Sequence, residues 1–259
     1  ERVAIASRTG LNAAHAGRRY GFQYATGSEQ QVLEDPRVNT VAIVTRHGEH
    51  ARQALAGLKA GKHVWCEKPL ALRGEDVDAV QAALAGSDRL LTVGYNRRFA
   101  PLALALRAFV RAAHAPLAMH YRINAGALPA AHWLNDPEQG GGRILGEACH
   151  FIDFLICLVG APPVRLSAAG LPDAGASHEE NAVITLEFPD GSVGTVAYLA
   201  NGDRSLPKER LEVSSGGRTA VLDDFRRLET YAAGARRVQR SWLRQDKGHA
   251  AQWRAFAAA

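Results

Sequence analysis

The stretch from Thr40 to Pro69 constrains the fold more than any other. Thr40 to Thr45 (Thr-Val-Ala-Ile-Val-Thr) is a β-branched run of the kind parallel sheets bury. Arg46-His47-Gly48-Glu49-His50 follows, then a segment to Ala60 whose Ala54, Leu55 and Leu58 recur at helical spacing. Gly61 stands where a helix C-cap is expected, and His63 to Cys66 is a second apolar run. That run stops abruptly in Glu67-Lys68-Pro69. Strand, helix and strand in this order predict a parallel sheet, whose strand ends at the carboxyl side are where ligands bind. Taken alone, Glu67 and Lys68 are equally an exposed ion pair closing an edge strand.

The same alternation holds on both sides. Arg2 to Ala6 reads as a buried strand, Ser7-Arg8-Thr9-Gly10 as a turn, and Asn12 to Tyr20 as a helix with Asn12 at its N-cap. Ser28 is placed to cap a short helix ending at Asp35-Pro36, and a helix from Arg73 to Leu84 precedes a strand from Leu90 to Gly94. After Tyr95-Asn96-Arg97-Arg98-Phe99 the pattern changes. A helix from Pro101 to Ala113, a strand from Leu117 to Asn124 and an apolar helix over about Ile144 to Val159 lead into seven short strands, separated by turns such as Pro189-Asp190-Gly191, Gly216-Gly217 and Gly234. The predicted fold is α/β followed by α+β: an incomplete Rossmann domain over residues 1–97, then an open, mainly antiparallel sheet domain over residues 98–259.

Composition excludes several functions. The formal charge of +5 comes from arginines scattered along the chain, so neither a nucleic-acid stripe nor a basic recognition helix is expected. Cys66, Cys149 and Cys157 form no CxxC pair, which argues against a disulfide framework and a zinc site. No run suits a membrane span and no signal peptide is seen, so a cytoplasmic protein is expected, with no membrane partner.

The helix over Ile144 to Val159 is the second candidate for chemistry. One apolar stripe runs through Ile144, Ala148, Phe151, Leu155 and Leu158, another through Leu145, Cys149, Ile152, Ile156 and Val159, which predicts a largely buried helix. Glu147, His150 and Asp153 interrupt it at three-residue intervals on the face left over. A buried imidazole flanked by two carboxylates suits proton transfer; a core histidine with satisfied hydrogen bonds fits the same pattern. Gly140-Gly141-Gly142 upstream predicts a close backbone approach.

Together these landmarks resemble the Gfo/Idh/MocA oxidoreductases, named for glucose–fructose oxidoreductase and inositol dehydrogenase. Ser7-Arg8, Thr45 with His47 and His50, Glu67-Lys68-Pro69, Gly94 to Phe99 and Gly140 to Asp153 occur in the family's order over most of the chain. The wording of Gly142 to Asp153 is most similar to a subgroup fused behind a zinc-alcohol-dehydrogenase-like half. The resemblance implies NAD(P) as cofactor and hydride transfer to or from a hydroxyl of a sugar, nucleotide sugar or cyclitol. It also implies a homo-oligomer formed through the C-terminal sheet. By residue, it implies that Ser7, Arg8, Thr45, His47, His50, Glu67 and Lys68 border the cofactor, that Lys68 and His150 carry the catalytic chemistry, and that Asn96, Arg98 and Asp153 lie by the substrate. An interdomain hinge with solvated arginines is the alternative for Asn96 to Arg98.

Three departures from the family pattern stand out. Gly146 occupies a position that is aspartate in many relatives, so the resemblance moves the acid to Glu147, counted here as a third catalytic residue. Arg46 replaces a proline usual in the loop before His47. No Gly-x-Gly-x-x-Gly loop occurs in the right context, so the first Rossmann strand and its phosphate loop are expected upstream of Glu1, and the C-terminus is expected to continue. The absence of an acid after Ser7-Arg8 predicts that NADP is accepted. A non-catalytic ligand-sensing or protein-binding module of the same fold, as in the yeast galactose corepressor, is the alternative reading.

Overall fold

Short apolar runs between helices can be buried only by pairing side by side, and the N-terminal third does so with every pair parallel. The computed structural model describes residues 1–171, 180–241 and 244–259, in two units, Glu1–Val93 and Gly94–Ala259. The N-terminal unit runs β1 (Ala4–Ala6), α1 (Leu11–Tyr20), β2 (Tyr24–Thr26), α2 (Glu29–Glu34), β3 (Thr40–Ile43), α3 (His47–Lys59), β4 (His63–Cys66), α4 (Gly74–Ala85) and β5 (Leu91–Val93). β1 pairs with β2, while β3, β4 and β5 form a second sheet with β4 central. α3 lies close on that sheet because residue 57 is glycine: a Cβ there would stand 3.0 Å from the methyls of Val41 and Val64.

Three expectations, for β1, α1 and β3, are corrected here, and one strand is added. β1 spans only Ala4–Ala6 and is half-buried to exposed rather than buried, since β2 is its sole partner strand among the described residues. β2 was not predicted, since Tyr24-Ala25-Thr26 is too short to show a period. α1 begins at Leu11 after Gly10, and Asn12 lies inside its first turn. The Ser7 hydroxyl takes the capping role, accepting the Ala13 N–H at 3.0 Å. β3 is only half buried: Val41 and Ile43 pack beneath α3, whereas Ala42 and Val44 on the opposite face are exposed. By contrast Ser28 caps α2 as predicted, accepting from the Gln31 N–H at 3.2 Å.

The C-terminal unit opens with a 3₁₀ turn (Asn96–Phe99) and α5 (Pro101–Arg111), then β6 (Ala118–Asn124), a π-helical turn (Ile144–Ala148) and α6 (Cys149–Val159). The meander follows as β7 (Arg165–Gly170), β8 (Ala182–Glu187), β9 (Val193–Leu199), β10 (Glu209–Ser215), β11 (Arg218–Asp223), β12 (Arg227–Ala232) and β13 (Ala235–Arg240), and α7 (His249–Ala258) closes it. The eight strands form one sheet in the order β13-β12-β11-β10-β6-β9-β8-β7. β6 fills its centre, parallel to β9 and antiparallel to β10; every other pair is antiparallel. α5 and α6 supply Leu106, Val110, Phe151 and Leu155 to a core with Tyr121, Ile123, Val196 and Leu211 of the sheet. Along β6 and β10 the alternate residues His120, Arg210 and Glu212 face away from this core and are exposed.

The apolar helix of the sequence is thus two segments. A π turn places an additional residue in the ring closed by each backbone hydrogen bond, so side chains on either side of it fall out of register with a single α-helical face. Only the stripe Ala148, Phe151, Leu155 and Leu158 is fully buried; Leu145 is 47% exposed, and Cys149, Ile152, Ile156 and Val159 are half-buried. The close approach at the glycines is internal to the chain. A Cβ on Gly140 would lie 2.3 Å from the Leu134 carbonyl oxygen. Gly141 and Gly142, at φ of 72° and 80°, turn the chain into the helix.

Candidate active site

The N-terminal unit presents its candidate residues on the loops that follow β1, β3 and β4. Ser7 is tied to α1 as described, and the neighbouring Arg8 is exposed. Thr45 donates its hydroxyl to Gln53 Oε1 at 2.6 Å. His47 and His50 are both buried on the first turn of α3, with ring centroids 5.6 Å apart. The His50 ring reaches the Thr45 and Pro69 carbonyl oxygens. β4 brings Glu67 into register: its N–H donates to the Ile43 carbonyl at 2.9 Å, and its carboxylate accepts the Lys68 N–H at 3.1 Å. Beside it, burial and the Glu67 charge push the Cys66 thiol up to about 12, so Cys66 is a packed thiol and no nucleophile.

These side chains suit a dinucleotide in kind. Hydroxyls of Ser7 and Thr45 and the Glu67 carboxylate match ribose hydroxyls, and the Arg8 and Lys68 cations match phosphate and developing negative charge. Because both His50 ring nitrogens face backbone carbonyls, its assigned contact with cofactor has no counterpart in the hydrogen bonds of this unit.

In the C-terminal unit the candidate residues fall into three ionic groups. Arg98 binds the buried Asp153 carboxylate with both Nε (2.7 Å) and Nη2. Burial pushes the Asp153 carboxyl above its ordinary value, against the pull of Arg98. His150, one turn earlier, is half-buried rather than buried, and the Tyr95 ring meets it edge-on at 6.1 Å between centroids. Burial raises the Tyr95 phenol as well, with Cys149 and Asp153 adding to it, so Tyr95 is a neutral hydroxyl beside His150.

Glu147 belongs to a different group. It accepts from the Tyr198 hydroxyl, from Arg143 Nη2 at 3.2 Å and from Lys208 Nζ at 3.3 Å. Burial would raise its carboxyl, yet Lys208, Tyr198 and Arg143 together hold it down to about 2. The pair of carboxylates predicted to flank His150 is therefore divided: Asp153 faces Arg98, and Glu147 faces β9 and the loop before β10. The π turn between Arg143 and Cys149 accounts for this. Arg143 and Tyr198 were missed by sequence reasoning, which had no signal pairing a helix entry with a strand fifty residues on.

The third group lies beneath α6. Arg97 donates through Nε and Nη2 to Glu209 at 2.9 and 2.8 Å, and Tyr121 and Lys247 complete the Glu209 shell at 2.5 and 2.6 Å. Arg97 also lies 4.8 Å from the ring centroid of Phe151, the neighbour of His150. Asn96 is buried and donates to the Lys247 carbonyl at 2.7 Å. Of the residues assigned to substrate, Asn96 and Arg98 thus already hold protein groups. Among the described residues no set of His, Cys, Asp or Glu is grouped to hold a metal ion, and no helix is long and apolar enough to cross a membrane.

The parallel unit thus offers polar side chains at its strand ends, and α6 of the sheet unit carries a histidine one turn before Asp153, whose buried carboxylate pairs with the partly exposed Arg98. Comparison with known proteins identifies the family. Residues 1–95 match the oxidoreductase family with an NAD-binding Rossmann fold, Gfo/Idh/MocA, and residues 112–214 match a C-terminal domain of the same family. The chain belongs to the Gfo/Idh/MocA family. It is 31% identical to levoglucosan dehydrogenase of Pseudarthrobacter phenanthrenivorans over 230 residues, 77% of this chain and 59% of the relative. It is 30% identical to myo-inositol 2-dehydrogenase of Thermotoga maritima over 183 residues, 69% of this chain and 54% of the relative. A solved levoglucosan dehydrogenase in complex with NADH and levoglucosan shares the fold, with a TM-score of 0.83, 24% identity and coverage of 96% of this chain and 73% of that one. The chain thus spans just over half the length of these two curated relatives.

Proposed function

We propose that this chain serves an NAD(P)-dependent dehydrogenase or reductase acting on a secondary hydroxyl of a sugar or cyclitol. The observation that carries the reading is His150, half-buried on α6 against the Tyr95 ring and one turn before Asp153, which Arg98 binds, in a chain whose family is oxidoreductase. Bound nicotinamide would supply the hydride acceptor or donor. In oxidation, the substrate loses its hydroxyl proton to His150 as the carbonyl forms, and Lys68 holds a positive charge where alkoxide character develops. Ser7, Arg8, Thr45 and Glu67 would bind the dinucleotide, with Arg8 accommodating a 2′-phosphate and so favouring acceptance of NADP. A homo-oligomer through the uncovered face of the eight-stranded sheet fits the exposed row on β6 and β10. The Gly142–Asp153 wording supports placing the chain in the subgroup fused behind a zinc-alcohol-dehydrogenase-like half.

Glu147 is better suited to charge placement than to proton transfer. A carboxyl held at about 2 is ionised throughout the neutral range and passes no proton there. The test of the reading is a panel of sugars and cyclitols mixed with the protein and NAD or NADP, followed by nicotinamide absorbance. Dinucleotide binding with no redox change on any polyol would instead favour a ligand-sensing module.

A further inference from the structure

Arg143 is a buried cation, and each of its three donating nitrogens serves a different segment of the C-terminal unit. Nη1 donates to the Gly126 carbonyl, in the loop after β6, at 2.7 Å. Nε donates to the Tyr198 hydroxyl on β9 at 2.9 Å, and Nη2 to the Glu147 carboxylate at 3.2 Å. Tyr198 is itself fully buried; its ring centroid lies 5.4 Å from the guanidinium, and its hydroxyl donates to Glu147. Burial and the Glu147 charge raise the Tyr198 phenol, so the hydroxyl keeps its proton and can accept from Arg143 while donating to Glu147. A planar guanidinium fixes these three directions relative to one another, which an ammonium on a flexible stem does not.

The segment so held is the π turn that leads to His150. Arg143 immediately precedes that turn, Ile144–Ala148, and Glu147 lies within it; His150 stands in the first turn of α6 just after. π-helical bonding is rare and persists where surrounding contacts impose it. Here the core anchors one side through Phe151 and Leu155. Arg143, Tyr198 and Lys208 anchor the other side through Glu147. Released from that second anchor, the turn is free to return to α-helical bonding. A change of register by one residue turns side chains by about 100° around the helix axis. His150 lies at the seam between the two anchors.

We infer that Arg143 is a positioning residue: through Gly126, Tyr198 and Glu147 it fixes the π turn, and with it the place and orientation of the His150 imidazole. It acts through the helix rather than on the reacting atoms, and its catalytic consequence rests on the reading of His150 as proton carrier.

The test uses Arg143→Met, which removes all three bonds, and Tyr198→Phe, which removes one hydroxyl and keeps the ring. The carbon–proton signal of the His150 ring is followed by carbon-13 NMR and assigned from its loss in His150→Ala. It is expected to move in both variants, further in Arg143→Met, while amide signals of β12 and β13 at the far edge of the sheet stay in place. An unmoved His150 signal in folded Arg143→Met overturns the inference; should that variant fail to fold, an unmoved signal in Tyr198→Phe does so. In kinetics well below the thermal midpoint, with a polyol that reduces nicotinamide, Arg143→Met should lose about 10²-fold in kcat at unchanged dinucleotide affinity. A lowered thermal midpoint with kcat retained would make Arg143 a contact for stability alone and also overturn the inference. The NMR measurement needs no turnover. Inactivity on every polyol therefore counts against the proposed function, while the His150 signal still decides the role of Arg143.

Discussion

In the N-terminal unit the polar side chains at the strand ends are held by backbone groups or single neutral partners: Ser7 by an N–H of α1, His50 by two carbonyls, Thr45 by Gln53. In the C-terminal unit they are held by one another, as Arg98–Asp153, Arg97–Glu209–Lys247 and Arg143–Glu147–Lys208. The difference follows from topology. Parallel strands end in loops full of backbone donors and acceptors, whereas α6 packs on a sheet whose own hydrogen bonds are already used. Charges carried by α6 and the turn before α5 must therefore find side chains of opposite sign. A scaffold of the first kind is insensitive to acid, and one of the second kind is not.

Acid should separate the two units most strongly. Glu147 and Glu209 are both held down to about 2, Glu209 by Arg97 and Lys247 against the effect of burial. A lowered carboxyl contributes stability that is complete above its ordinary value near 4.5 and is lost as pH falls toward the folded value. The window is therefore about pH 4.5 to 2, and each group contributes on the order of 3 kcal/mol. The carboxylates of the N-terminal unit with the same direction of shift, Glu29 and Asp35, bond to the exposed arginines Arg52 and Arg37, and solvent screens them. Hydrogen exchange read by peptide should show the C-terminal unit opening first as pH falls. Simultaneous opening of both would erase the distinction.

Removing one anion should nearly match that effect. Glu209→Gln leaves the buried Arg97 and the half-buried Lys247 without their carboxylate, and a loss of roughly 3–5 kcal/mol is expected in urea unfolding. A loss below about 1 kcal/mol would mean that the network relaxes into solvent.

Arg98→Ala is a smaller and more informative change. Asp153 then loses both donated bonds, at a cost of about 1–3 kcal/mol. Because His150 shares α6 with Asp153, kcat should fall more than dinucleotide affinity. A change confined to affinity would return Arg98 to substrate or cofactor binding.

Thr45→Val supplies the control from the other unit. It removes one neutral hydrogen bond at an exposed position, so the expected loss is about 0.5 kcal/mol. A loss as large as that of Arg98→Ala would show the N-terminal unit to be as interdependent as its neighbour.

Local patterns carried much of this architecture. Helical spacing and cap residues located α2, α3, α5 and every strand of the meander, since each leaves a periodic or turn signal within a dozen residues. What local patterns could not carry were pairings across the chain. That β6 lies between β9 and β10 depends on contacts 75 to 90 residues apart, as in Thr195 against His120 and Leu211 against Tyr121. The candidate residues were legible as chemical types, but their partners were not. Glu147 and Asp153 share a three-residue rhythm with His150, and a π turn that no propensity marks sends Glu147 to Tyr198 while Asp153 meets Arg98.

The central claim is that His150 is the proton carrier of a hydride-transfer enzyme, and steady-state kinetics of His150→Ala tests it most directly. With a polyol found to reduce nicotinamide, the variant should lose roughly 10²–10⁴-fold in kcat while dinucleotide affinity stays unchanged. Full turnover in His150→Ala would contradict the account and leave His150 a histidine packed against Tyr95.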